Sequence, residues 1–235
     1  MDGEYAIEHQ HIDKNHRHDL EFAHTFPSLE VARIGKLLGR GWVHSVYEYT
    51  ETDGSQKVVK LPMYRNTLVT TSALEKTLQY EQSKLFEPFI VPTQIEASPF
   101  HQLYAYKQDR LPNIKPLSPH NIDKVRADFQ RLLALNKISV AHHGKCLDFL
   151  GGEGLTICIK SLYDGNNDVP ELSNLVVQTM PDGTYQLKII DIDLIAMDAR
   201  TDTRFMPNLL AVREKAMYGL NRIFLKKFYG IDIGI

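Results

Sequence analysis

Two aspartates stand where runs of β-forming residues stop: Asp164 after Leu162-Tyr163, and Asp191 after Ile189-Ile190. Carboxylates delivered at neighbouring strand ends are placed to share a divalent metal and a reacting hydroxyl. The same acids would also serve as turn residues in an ordinary β-meander. Upstream, Lys60 is a cation inside the otherwise apolar run Val58-Val59-Lys60-Leu61. Its plain alternative is a lysine on a solvated strand edge. Before it comes Gly39-x-Gly41, a turn in which no Cβ keeps the backbone amides from an anionic ligand. A glycine pair of this kind is also what a tight hairpin needs.

The elements that must position these residues follow from periodicity. Thr156–Ala196 reads as a strand carrying Ile157, Ile159 and Leu162, an acidic loop, a strand through Leu175-Val176-Val177, a Pro181-Asp182-Gly183 turn, and a strand through Leu187, Ile189 and Ile190. In the first part of the chain, Ala32–Leu38, Val43–Tyr49 and Lys57–Leu61 form a three-stranded antiparallel meander. Thr70–Phe86 has helical character, with Leu74, Leu78 and Leu85 on one stripe. Glu81 falls on the same stripe, whereas Glu75 lies off it. A carboxylate on the packed face of a helix must find a cation or remain desolvated at a cost, and Lys60 is the available cation.

Phe89–Pro92 and Leu103–Tyr106 add two strands, which completes a five-stranded lobe. The proline-rich stretch Lys107–Pro119 reads as the connection to a second lobe. That lobe opens with a helix over Asn121–Leu135, with Ile122, Val125, Phe129, Leu132 and Leu133 inward. His142-His143-Gly144 and Gly151–Gly154 read as loop. The lobe closes with an amphipathic helix over Asn208–Tyr229, with Val212, Ala216, Leu220 and Ile223 on its face and Met217, Phe224 and Phe228 alongside.

The chain divides into a polar arm at 1–29, a first lobe at 30–107 and a second, reduced and mainly helical lobe at 108–235. The fold class is α+β. In the arm, His9, His11, His16, His18 and His24 cluster, but their spacing matches no metal-ligand pattern.

A net charge of −2 gives no field that would draw nucleic acid or an anionic membrane, and neither is expected as a partner. No apolar run approaches the about 18 residues of a membrane span, and the polar N-terminus has no signal-peptide core. Cys146 and Cys158 are too few for a disulfide scaffold. As it stands the chain is expected in the cytoplasm; a place in the secretory pathway would require a leader ahead of Met1 in a longer chain.

In this order the residues resemble the protein kinase fold. Gly39-x-Gly41 with Val46 resembles the glycine loop, His44 standing where a third glycine is usual. Val58-Val59-Lys60 resembles the strand that carries the phosphate-binding lysine, and Glu81-x-x-x-Leu85 the helix that carries its glutamate. Ile189-Ile190-Asp191-Ile192-Asp193 resembles the metal-binding Asp-Phe-Gly step, with Asp193 replacing the glycine. Tyr163–Pro170 together with Ile190–Asp193 is similar to protein O-mannose kinase-type atypical kinases.

The resemblance implies an ATP-dependent phosphotransferase that uses Mg2+ and acts on a hydroxyl of a protein or glycan. Gly39, Gly41, Val46 and Lys60 would hold the nucleotide, and Glu81 would hold Lys60. Asp191 would hold Mg2+, with Asn174 as a second ligand and Asp193 as the alternative carboxylate. Asp164, at its strand end, would be the base. Asp168 is the competitor, because it stands six residues before Asn174 against a family spacing of five, and Asp164 stands ten before it.

The family's His-Arg-Asp and Ala-Pro-Glu motifs are both missing from this sequence. That keeps open an inactive kinase-fold binding module. A small-molecule kinase of the aminoglycoside phosphotransferase type is also open, with His143-Gly144-Lys145 where that family has His-Gly-Asp.

Overall fold

Tyr47 and Tyr49 alternate with smaller residues along one strand, and this alternation builds the first sheet. In the computed structural model the strands are β1 (Ile34–Arg40), β2 (His44–Thr50), β3 (Gln56–Pro62), β4 (Thr93–Ala97) and β5 (Tyr104–Asp109). They form one antiparallel five-stranded sheet in the order β1-β2-β3-β5-β4. The structure describes residues 19–40, 44–62, 81, 83–98, 104–151, 160, 171–192, 194–196 and 205–233, with backbone alone at 196 and 205–214.

The chain falls into two compact units, Met1–Leu78 with Pro92–Arg110, and Gln79–Val91 with Leu111–Ile235. In the first, Tyr47, Tyr49, Val59, Leu61 and Ala105 line one face of the sheet. Phe22, Ala23, Phe26 and Leu29 cover that face. Residues 19–29 therefore belong to the core, although their polar surroundings in sequence read as an arm. Phe22 and Phe26 outweigh the polar residues around them, each contributing about 1.5–3 kcal/mol when buried.

Phe89–Pro92 is not a strand. Ser83–Phe86 is a 3-10 turn, a further turn follows it, and Ile90 makes a single parallel bridge to Ile189. The strand itself begins at Thr93.

The second unit carries β6 (Ile114–Leu117), helix α1 (Arg126–His143), β7 (Lys145–Leu147), β8 (Leu172–Thr179), β9 (Tyr185–Ile189), β10 (Leu194–Ala196) and helix α2 (Phe205–Tyr229). Strands β6-β8-β9 form one sheet and β10-β7 another. The proline-rich stretch is thus largely strand: its start extends β5, and Pro116 sits within β6 at the sheet edge, where its missing N–H is tolerated.

Helix α1 runs eight residues past the expected Leu135, through His142 and His143, and its Gly144 cap donates to Val140 O at 3.0 Å. The Asp182-Gly183 turn joins β8 to β9 as expected. Thr184 N donates to the Asp182 carboxylate at 2.9 Å, and Gly183 takes φ 83°, a region that favours glycine.

The buried face of α2 differs from its apolar stripe. Asn221, Phe224 and Leu225 are buried, whereas Ile223 is 52% exposed. Counting only apolar residues rotates the face, because its centre is a polar asparagine.

Candidate active site

In the first unit, one row of cross-strand partners spans all five strands: Gly39, Val46, Lys60, Tyr106 and Ile95. Partners in an antiparallel ladder share a face, so three of the residues expected to bind nucleotide stand side by side. Gly39 lies inside β1 rather than in the turn, and a Cβ there would meet nothing within 4 Å. Gly41 lies outside the described residues.

Lys60 sits on the central strand of the sheet, not on a solvated edge, and is only 7% exposed. Its Nζ lies 5.8 Å from the Tyr106 ring centroid. His44, Tyr104 and Tyr106 form an aromatic trio beside it, with centroids 5.0–5.3 Å apart. The row therefore joins a buried cation to flat apolar surface.

Glu81 is not on a packed face. It is exposed and forms an ion pair with Lys84. The chain tightens to a 3-10 turn at Ser83–Phe86, which puts Ser83 and Phe86 inward in its place. Lys60 and Glu81 belong to different units. The stripe residues Leu74 and Leu78, and Glu75, lie outside the described residues.

In the second unit, β7 ends at Leu147, and the next residue is Asp148, a carboxylate only 5% exposed. Asp148 Oδ1 accepts from Leu150 N at 3.1 Å, Gly151 N at 3.2 Å and Asn221 Nδ2 at 2.9 Å. Three donors on one oxygen fix the carboxylate's direction. Asn174 Nδ2 donates to Asp148 O at 3.0 Å. Ile190 N donates to Asn174 O at 3.0 Å, which brings Asp191 to the end of β9 alongside. The pairing of β10 with β7 returns the chain beyond Asp191 to the strand that delivers Asp148. Asp148, Asn174 and Asp191 thus converge through backbone register.

Asp164, Asp168 and Asp193, and the strand expected over Ile157–Leu162, lie outside the described residues. Sequence reasoning missed Asp148. Its strand has three residues, too few for a periodic signal, and Asn174 stands 26 positions later. The readable signal was Cys146-Leu147-Asp148, an acid closing a short apolar run just after a helix-ending glycine.

Two neighbours hold this loop. Asn136 of α1 accepts from Leu147 N at 2.8 Å. Asn221 of α2 accepts from Phe149 N at 2.9 Å and Leu150 N at 3.3 Å. Its Nδ2 also donates to Met217 O at 3.0 Å. Asn221→Leu keeps the volume but takes the acceptor of the buried Phe149 amide and one partner each from the Leu150 amide and Asp148. We expect a loss of about 2–4 kcal/mol in urea unfolding, since each stranded buried group costs about 1–3 kcal/mol.

Gly151 has φ 67°, and a Cβ there would lie 2.6 Å from Ser173 Oγ and closer still to Asn174 Oδ1. Gly151→Ala should therefore cost about 1–3 kcal/mol by the same measurement, from backbone strain and the displaced Asn174.

Burial pushes the nearby Cys146 thiol up to about 12, so it stays a neutral thiol and packs as an apolar group. Among the described residues no three His, Cys, Asp or Glu side chains gather as a metal cage. Mg2+ does not need one, because it is commonly bound by one or two carboxylates plus substrate phosphates. Oxygen donors of the kind it takes are present in Asp191 and in Asn174, whose Oδ1 packs against Gly151 where a Cβ would otherwise stand. Among the described residues no helix is long and apolar enough to cross a membrane.

No protein-family model and no curated protein matches the chain. A matching solved structure is the Rio2 kinase-ADP/Mg2+-phosphoaspartate complex from Chaetomium thermophilum, 16% identical, with a TM-score of 0.45. The match covers 85% of this chain and 57% of that one, so the chain spans little more than half the length of that structure.

Proposed function

We propose that the protein is a divergent kinase-fold phosphotransferase that moves the γ-phosphoryl group of Mg·ATP to a hydroxyl of a protein or glycan. The observation that carries this reading is that backbone hydrogen bonding and strand pairing bring together Asp148 just after β7, Asn174 near the start of β8 and Asp191 just past β9. It is supported by the row Gly39, Val46 and Lys60 in the other unit. Phosphoryl transfer asks a protein mainly for positioning and charge neutralisation, and these groups supply both.

Mg·ATP, when bound, supplies the phosphoryl group and the charge that offsets its oxygens. Lys60 would neutralise the nucleotide's phosphates, the backbone at Gly39 and Gly41 would approach them, and Val46 would give apolar cover. Asp191 and Asn174 Oδ1 would hold the metal, with Asp193 as the alternative carboxylate. Glu81, engaged by Lys84 in this structure, would have to release it to serve Lys60.

For the base there are three candidates. Asp148 has its direction fixed by three donors and is linked to Asn174, which favours it over Asp164 and Asp168. It would orient the acceptor hydroxyl and take its proton.

The test is calorimetric titration of the intact chain with ATP, with and without Mg2+, followed by transfer assays on proteins, glycans and metabolites. Metal-dependent binding with transfer supports the reading. Absence of binding overturns it, and binding without transfer to any acceptor makes the protein a nucleotide-binding module.

A further inference from the structure

The phosphate-proximal hairpin is irregular. The pairing of β1 with β2 shifts register twice, between Ile34 and Leu37 and again between Leu37 and Gly39. Among the described residues β1 is also an edge strand, paired with β2. Apart from Ile34 and Leu37 the residues of β1 are exposed, and two of the seven are glycines, so the strand specifies its own register weakly and something must hold Gly39 opposite Val46.

On the sheet face opposite Gly39, Val46 and Lys60, Asp19 reaches in from the segment that precedes the sheet. Tyr47 of β2 donates its hydroxyl to Asp19 Oδ2 at 2.6 Å, and Arg40 Nη2 of β1 donates to the same oxygen at 3.1 Å. The Asp19 side chain is 7% exposed and that of Arg40 31%. One carboxylate oxygen therefore ties a residue of β1 to a residue of β2 across the second bulge. Phe22, Ala23, Phe26 and Leu29 bury the segment that carries Asp19 against the same face. Burial, and then the bond to Asp19, push the Tyr47 hydroxyl well above its usual range, so it remains a donor.

We propose that Asp19 is a positioning residue for nucleotide binding, a staple from the N-terminal segment that fixes the β1–β2 register and so sets where Gly39 and Val46 stand beside Lys60. This rests on the phosphotransferase reading for the nucleotide, but not for the staple itself. Asp19 is on the face opposite Gly39, Val46 and Lys60, and its side-chain bonds among the described residues go to Tyr47 and Arg40. Its effect should therefore fall on affinity and not on the chemical step.

The experiment uses the full chain with Asp19→Asn, and Tyr47→Phe as a milder variant that keeps the core shape. Hydrogen exchange of backbone amides is followed in β1 and β2 against β3 and β5, and Kd, KM and kcat are measured for Mg·ATP. We expect exchange in β1 and β2 to rise about tenfold or more, with β3 and β5 unchanged. Kd and KM for Mg·ATP should rise about fivefold or more, with kcat within about twofold. Unchanged exchange in β1 and β2, or an equal rise across the whole sheet, overturns the staple. Loosened strands with unaltered Mg·ATP affinity overturn its positioning role. If wild type does not bind Mg·ATP, the phosphotransferase reading and the nucleotide role fall together, while the exchange arm still decides the staple.

Discussion

Asp191→Asn removes Mg2+-dependent ATP binding and leaves the fold standing. We expect the affinity for Mg·ATP to fall at least about 100-fold, approaching that for ATP without metal. The melting temperature should move by only a few degrees, since Asp191 is half-buried in a bend just past β9 and is not itself among the apolar side chains of the core that Ile189 and Ile192 join. Asparagine keeps the size and one oxygen but loses the charge a hard cation needs.

Calorimetric titration with ATP, with and without Mg2+, measures both states. If the mutant binds Mg·ATP as tightly as wild type, Asp191 is not the ligand. The Asp193→Asn variant then shows whether the neighbouring carboxylate serves instead. Unchanged affinity in both removes the metal from this end of β9.

Where two strands and a short turn build a feature, it was legible in the sequence. Val58–Leu61, the Asp182-Gly183 turn and the Leu175–Val177 run all lie where alternation and turn chemistry put them. They place β3 in the five-stranded antiparallel sheet and join β8 to β9 in the three-stranded one, whereas the strand expected at Phe89–Pro92 lies instead at Thr93–Ala97.

Less legible was whatever tertiary contact decides. Phe22 and Phe26 sit among charged residues and gave no periodic signal, yet the sheet face needs a cover and they supply it. Glu81 matched a helical stripe, but a 3-10 turn two residues later changes which side faces inward. Asn221 was invisible for the opposite reason. A polar residue at the centre of a buried helix face reads as a solvent position until the amides it satisfies are known.

The site divided along the same line. Gly39, Val46 and Lys60 could be found because a hairpin holds them at short sequence distance, and the sheet then aligns them in one row. Asp148 and Asn174 could not be paired from sequence. Kinase-like spacing puts a few residues between base and asparagine, and here 25 intervene. The search for an acid near Asn174 therefore ended on Asp164 and Asp168 within that stretch. Ser173 Oγ donates to Leu150 O at 2.7 Å, so the stretch leaves and returns at nearly the same place. An excursion closed at its base can be long without moving the residues that flank it.

That closure makes Asp148→Asn the most informative variant. Asparagine retains an oxygen to accept the amides of Leu150 and Gly151, so the loop keeps most of its hydrogen bonds and Asn174 keeps its link to the Asp148 carbonyl. What is lost is the carboxylate that would take the acceptor's proton. Removing a general base typically costs about 10²–10⁴ in rate. We therefore expect phosphoryl transfer to fall by about that factor, while Kd for Mg·ATP stays within about threefold of wild type.

Asp148→Ala is the poorer probe, because it removes the acceptor of the Gly151 amide and one of the two acceptors of the Leu150 amide and of Asn221 Nδ2, and would confuse folding with catalysis. Asp164→Asn and Asp168→Asn run in parallel. If transfer survives in Asp148→Asn and disappears in either of the others, the base lies in the excursion and Asp148 serves only to hold the loop. If all three variants match wild type in transfer, none of these carboxylates is the base, and the acceptor's proton leaves by a route this constellation does not provide.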